Sequence, residues 1–99
     1  MAFKTYKIGV SAPLSGCETE HGKQGVRSVQ LAVEEFKEVN MPYSIEMVVG
    51  NDKGDTEEGK NVAKSFIADQ SIMGVVGPLN SNPSIGAAPI YEQAGLVNM

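Results

Sequence analysis

Short runs rich in valine and isoleucine alternate along this chain with longer stretches whose apolar residues recur every three or four positions. The short runs suit strands buried on both faces, and the longer stretches suit helices with one apolar stripe. Neighbouring parallel strands need a crossover between them, and a helix is the usual one. The alternation therefore predicts an α/β fold, a parallel sheet layered between helices, with right-handed crossovers.

Strands are expected at about residues 6–11 (YKIGVS), 44–50 (SIEMVVG), 72–76 (IMGVV) and 96–98 (LVN). Val26, Val29, Val33 and Phe36 form one stripe, which predicts a helix over about 21–37 that stops before Asn40 and Pro42. A second helix is expected over about 56–69, with Asp55 and Glu58 spaced as a capping box. A third is expected over about 83–93. Pro83 suits its first turn, Asn82 or Ser81 its cap, and Pro89 should distort it. The 99 residues suffice for one small domain and hold no internal repeat. The chain stops inside an expected strand, Val97-Asn98-Met99, which reads as a piece of a larger domain. That uncovered fourth strand predicts a homodimer or strand exchange through its edge.

Net charge is −4 and no Lys/Arg cluster stands out, which argues against nucleic acid or an anionic membrane as partner. No apolar run is long enough for a membrane helix. The opening Met1-Ala2-Phe3-Lys4 lacks the apolar core of a secretory signal. That leaves a cytoplasmic chain or one that starts past its leader. The single Cys17 has no internal disulfide partner.

Ligands of open parallel sheets bind at the carboxyl ends of the strands. Three loops fall there: 12–21, 51–55 and 77–82. The third, within GPLNSNPSIG, leads from a strand into a helix start. Free backbone N–H groups and the positive end of the helix dipole favour an anion there. The Ser81 hydroxyl and the amides of Asn80 and Asn82 add donors, so a carboxylate could be held without Lys or Arg. Ser81 or Asn82 acting purely as a helix cap explains the same residues.

Enzyme readings fail on their residues. Neither G-x-G-x-x-G nor a P-loop occurs. NDKGDTEE lacks the ligand spacing of a calcium loop and reads as a solvated turn. A phosphorylatable receiver domain needs acids where this chain has Ser11-Ala12-Pro13 and Gly77-Pro78-Leu79. Cys17 and His21 share a loop, but nothing orients them as nucleophile and base.

KIGVSAPLSG, then HGKQGVRSVQLAVEEF, then the stretch from VVGNDKGD through GPLNSNPSIGAAPIYEQAGLVNM, resemble in order and spacing the start of a type I periplasmic binding protein. The nearest branch is the leucine/isoleucine/valine-binding group that serves ABC transporters. The resemblance implies two flavodoxin-like α/β/α lobes that close on a ligand, with this chain as the first part of the amino-terminal lobe. It implies a periplasmic or extracellular protein without catalytic activity, an amino acid or amide as ligand, and a membrane permease as partner. It also implies that Leu79, Asn80 and Ser81, with Asn82 beside them, hold the ligand α-carboxylate. His21, before Gly22, falls where the family often has an aromatic residue against the ligand. Ligand-sensing domains of receptors and amide-type regulators share the fold and are the alternative. The family's next ligand loop, the hinge and the second lobe would lie past Met99.

Overall fold

The computed structural model describes residues 4–16, 18–37 and 43–99. Cys17, Asn40 and Pro42, named above, lie outside the described residues. The elements run β1 (Lys4–Ala12), α1 (Thr19–Lys37), β2 (Tyr43–Asn51), α2 (Thr56–Ala68), β3 (Ile72–Val76) and α3 (Ser81–Ala94). All three strands are parallel, in the order β2-β1-β3.

Register assigns the two faces of the sheet. Gly9 of β1 aligns with Val48 of β2 and Val75 of β3. Val48 and Val75 meet a core of Val62, Ala63 and Phe66 from α2, Ile72 from β3, and Ala87 and Tyr91 from α3. Gly9 leaves room for the Phe66 ring, since a Cβ there would stand 2.8 Å from it. The opposite face carries Ile8, Ile45 and Val76, which with Val29, Val33 and Phe36 of α1 line a groove of about 370 Å³. Helices thus lie on both faces, giving three layers. Met73, Val97 and Met99 remain largely exposed.

Local chemistry fixes the boundaries. Asp55 caps α2 by accepting from the Glu58 amide at 3.1 Å. Asp69 ends it: its amide donates to the Phe66 carbonyl, and its carboxylate accepts from Ser71 and pairs with Lys7 at 3.2 Å. Those bonds, the Ser71 hydroxyl first and Lys7 after, hold the Asp69 carboxyl below its ordinary value.

Two helices start earlier than their spacing predicts. The Glu18 carbonyl takes the first bond of α1, from the Gly22 amide, so His21 sits in the first helical turn and not in the preceding loop. In α3 the Asn80 carbonyl accepts from the Ser84 amide and hydroxyl. Asn80 is therefore the N-cap, in place of Asn82 or Ser81, and its side chain makes no capping bond. Pro83 becomes the third helical residue, where a missing N–H costs no helical bond. α3 continues through Pro89 and ends at Gly95, whose φ of 70° is left-handed.

The expected fourth strand amounts to one parallel bridge, Asn98 to Val75. The Val75 amide donates to Val97, Met99 donates to Val75, and Gly77 donates to Met99. The segment therefore lies along the free edge of β3.

Candidate functional site

Three loops meet at the carboxyl ends of β1, β2 and β3, and hydrogen bonds tie the first two together. Asn51, the last residue of β2, accepts through Oδ1 from the Leu14 amide at 2.9 Å and the Lys53 amide at 3.0 Å. Its Nδ2 donates to Ser15 Oγ at 3.2 Å. Asp52 follows, fully buried. Its Oδ2 accepts from Ser11 Oγ at 2.7 Å and its Oδ1 from the Gly54 amide at 2.9 Å. Its own amide donates to the Ala12 carbonyl. The two acids of NDKGD thus have protein partners: Asp52 clamps β1 to the β2–α2 turn, and Asp55 caps α2.

The third loop starts at Gly77, whose φ is 96° and whose peptide bond to Pro78 is cis. A Cβ at Gly77 would collide with the Ser11 carbonyl oxygen. Only glycine lets β3 leave the sheet this close to β1. The Ser84 hydroxyl reaches back to the Asn80 carbonyl at 2.8 Å and the Pro78 carbonyl at 3.3 Å, which folds the loop onto α3. Leu79 leans the other way, onto α1: a Cβ at Gly25 would stand 2.5 Å from Leu79 Cδ1.

The helix start left by this arrangement is open. Ser81 and Asn82 are exposed in the first turn of α3. Their amides precede any intrahelical acceptor, and Pro83 has no N–H. Asn80 Oδ1 is buried without a hydrogen-bond partner among the described residues. Leu79, Asn80, Ser81 and Asn82 are contiguous here, with two first-turn amides that have no intrahelical acceptor beside the exposed Ser81. His21 belongs to a different element. It is exposed, four residues before Gly25 and so on the same side of α1, one turn nearer the helix start.

Beneath the loops, Tyr91 of α3 is fully buried and its hydroxyl has no partner among the described residues. Burial, with a smaller push from the charge of Asp52, raises its phenol to about 12. Sequence reasoning missed Ser11, Asn51, Asp52, Gly25 and Tyr91. The signal for Asn51 and Asp52 was their place directly after an apolar strand, at the edge where sheet ligands bind.

The family model described as periplasmic binding protein matches residues 5–99. The chain belongs to that family. Leu/Ile/Val-binding protein homolog 2 of Brucella abortus is 35% identical over 98 residues, covering 97% of this chain and 26% of that protein. Homolog 1 of the same organism is 27% identical over 94 residues. The branched-chain amino acid transporter substrate binding protein LivJ of Streptococcus pneumoniae, solved with isoleucine, superposes with a TM-score of 0.88 at 29% identity. It is covered to 28%, and this chain to 96%. An ABC transporter substrate-binding protein of Desulfitobacterium hafniense, solved with Leu, gives a TM-score of 0.81 at 32% identity, with the same coverages. The chain spans about a quarter of the length of the curated relatives it matches. It is part of one lobe of the type I periplasmic binding fold.

Proposed function

We propose that this chain supplies the first part of the amino-terminal lobe of an extracytoplasmic solute-binding protein, which delivers an amino acid to the permease of an ABC importer. The ligand α-carboxylate sits at the start of α3, against the Ser81 hydroxyl and the Ser81 and Asn82 amides. The observation that carries this is the helix start at Ser81 and Asn82, both exposed, with backbone amides that precede any intrahelical acceptor. A helix N-terminus stabilises an anion through oriented N–H groups and its dipole. The molecules bound in the two similar solved structures, isoleucine and Leu, are amino acids whose carboxylate such a site would suit. Leu79 supplies an apolar neighbour for their side chains, and His21 a second contact one helix away.

The test is a nitrogen-15 NMR titration of the 99-residue chain with L-leucine at millimolar concentration. The amides of Asn80, Ser81 and Asn82 are expected to shift together, and Ser81→Ala to remove most of the response. Shifts that avoid this loop, or that survive Ser81→Ala unchanged, would defeat the proposal.

A further inference from the structure

We infer that Gly25 of α1 sets where the Leu79 side chain lies and, through it, how large an apolar side chain the site accepts. This rests on the reading of the β3–α3 loop as the carboxylate site.

Glycines pressed against these loops differ in what a side chain would meet. A Cβ at Gly22 would strike the Pro13 carbonyl oxygen, and one at Gly77 the Ser11 carbonyl oxygen. Both are backbone and cannot move without the loop. At Gly25 the obstacle is the end of a side chain: Leu79 Cδ1 at 2.5 Å, with Cγ at 3.7 Å and Cδ2 at 3.8 Å. A leucine yields by changing rotamer. Alanine in a helix interior is favoured over glycine by propensity. Gly25→Ala is therefore a change the fold tolerates and Leu79 does not ignore.

Leu79 is half-buried and directly precedes Asn80, the N-cap of α3. Its side chain lies against α1, where the notch at Gly25 receives it. A methyl at position 25 closes the notch and displaces Leu79, the residue next to the proposed carboxylate loop, and so changes the apolar space beside that loop. Gly25 touches no ligand in this arrangement; it is a positioning residue acting through Leu79.

The experiment uses the 99-residue chain labelled with nitrogen-15 and with carbon-13 methyls. L-leucine and L-alanine are titrated into wild type, Gly25→Ala, Leu79→Ala and the double variant. In Gly25→Ala the Leu79 methyl resonances should move while the melting temperature holds or rises. Leucine affinity should fall about tenfold relative to alanine, the scale on which a pocket discriminates small changes in apolar side chains. In the Leu79→Ala background, Gly25→Ala should leave the leucine-to-alanine ratio unchanged. Four results would overturn the inference: unmoved Leu79 methyls, an unfolded Gly25→Ala, an unchanged ratio, or the same ratio change with and without Leu79. A wild-type chain whose Asn80 and Ser81 amides ignore both amino acids would defeat the carboxylate reading itself, and this inference with it.

Discussion

The Ser11 hydroxyl donates to the Asp52 carboxylate across 2.7 Å, and neither residue is exposed to solvent. The bond joins the end of β1 to the turn after β2. The Ser11 carbonyl in turn stands against Gly77, where the third loop begins. One buried acid therefore joins the first two loops, and the third packs against the same Ser11.

Removing that acid should loosen the edge. Asp52→Ala deletes the acceptor for Ser11 and for the Gly54 amide, leaving two donors without it. Hydrogen bonds to charged groups contribute about 1.5–3 kcal/mol each, and stranded buried donors cost a similar amount. Asp52→Ala should lower unfolding free energy by about 3 kcal/mol in urea, and Ser11→Ala by about half of that. Asp52→Asn keeps an acceptor and should fall between wild type and Asp52→Ala. An Asp52→Ala chain as stable as wild type would remove the clamp from the account.

Tyr91 gives a prediction in alkali. Its folded phenol is raised to about 12 from an ordinary 10, because burial disfavours the phenolate and the Asp52 charge adds to that. A raised folded value means that the neutral form stabilises the fold. That contribution is complete below pH 10, where unfolded tyrosine is also neutral, and it is lost as pH rises through the folded value near 12. Tyr91→Phe should flatten this alkaline loss. Near neutral pH it should raise stability by about 1 kcal/mol, because it removes a buried hydroxyl that has no partner among the described residues. Urea midpoints measured across this range would show it.

What the sequence revealed was what neighbours in the chain decide. The alternating strands and helices follow from apolar spacing, and the Asp55 cap from a residue three positions ahead. The start of α3 was less legible. Which carbonyl takes the first helical bond depends on Ser84 reaching back to Asn80, so the cap fell on Asn80 and not on Ser81 or Asn82. Asp52 reads locally as a solvated turn residue. Its burial comes from Ser11, 41 positions earlier, and no local pattern reports it. The notch at Gly25 is hidden for the same reason, since Leu79 reaches it only in the folded sheet. The donor set at Ser81 and Asn82 was legible because a strand, a polar loop and a Pro-marked helix start are contiguous.

Asp69 should contribute an acid-side dependence. Its carboxyl lies below the ordinary 3.8 because Ser71 and Lys7 favour its charged form. A depressed folded value stabilises the fold above the unfolded value, and that part is lost as pH falls through the folded one. Asp69→Asn should remove this component while keeping an acceptor for Ser71. Urea midpoints of both proteins across acid pH should show a wild-type advantage that is present above about pH 4 and shrinks as pH falls below it. Superimposable curves would place the acid response elsewhere.

The chain alone should bind weakly. Closure of a second lobe buries a small ligand and strengthens each hydrogen bond by excluding water. Here the start of α3 faces solvent. Affinity for L-leucine should be on the order of millimolar, visible by NMR and silent in calorimetry at ordinary concentrations. A saturable heat with micromolar affinity would show that this part of one lobe forms a sufficient site.

The last prediction concerns the sheet edge. Val97 accepts from Val75 and Met99 donates to it, so the N–H and C=O of Asn98 face away from β3. Val97 and Met99 beside them are 64% and 86% exposed. An open strand edge with apolar neighbours invites a second chain. We expect concentration-dependent self-association in sedimentation equilibrium. Asn98→Pro removes the outward donor and the long Asn98 Nδ2 bond to the Gly77 carbonyl at 3.4 Å, while both backbone bonds to Val75 stay, because neither uses the Asn98 amide. That variant should shift the equilibrium strongly toward monomer. A wild type that stays monomeric at the highest concentration reached, or an Asn98→Pro chain that associates equally well, would show that this edge does not recruit a partner.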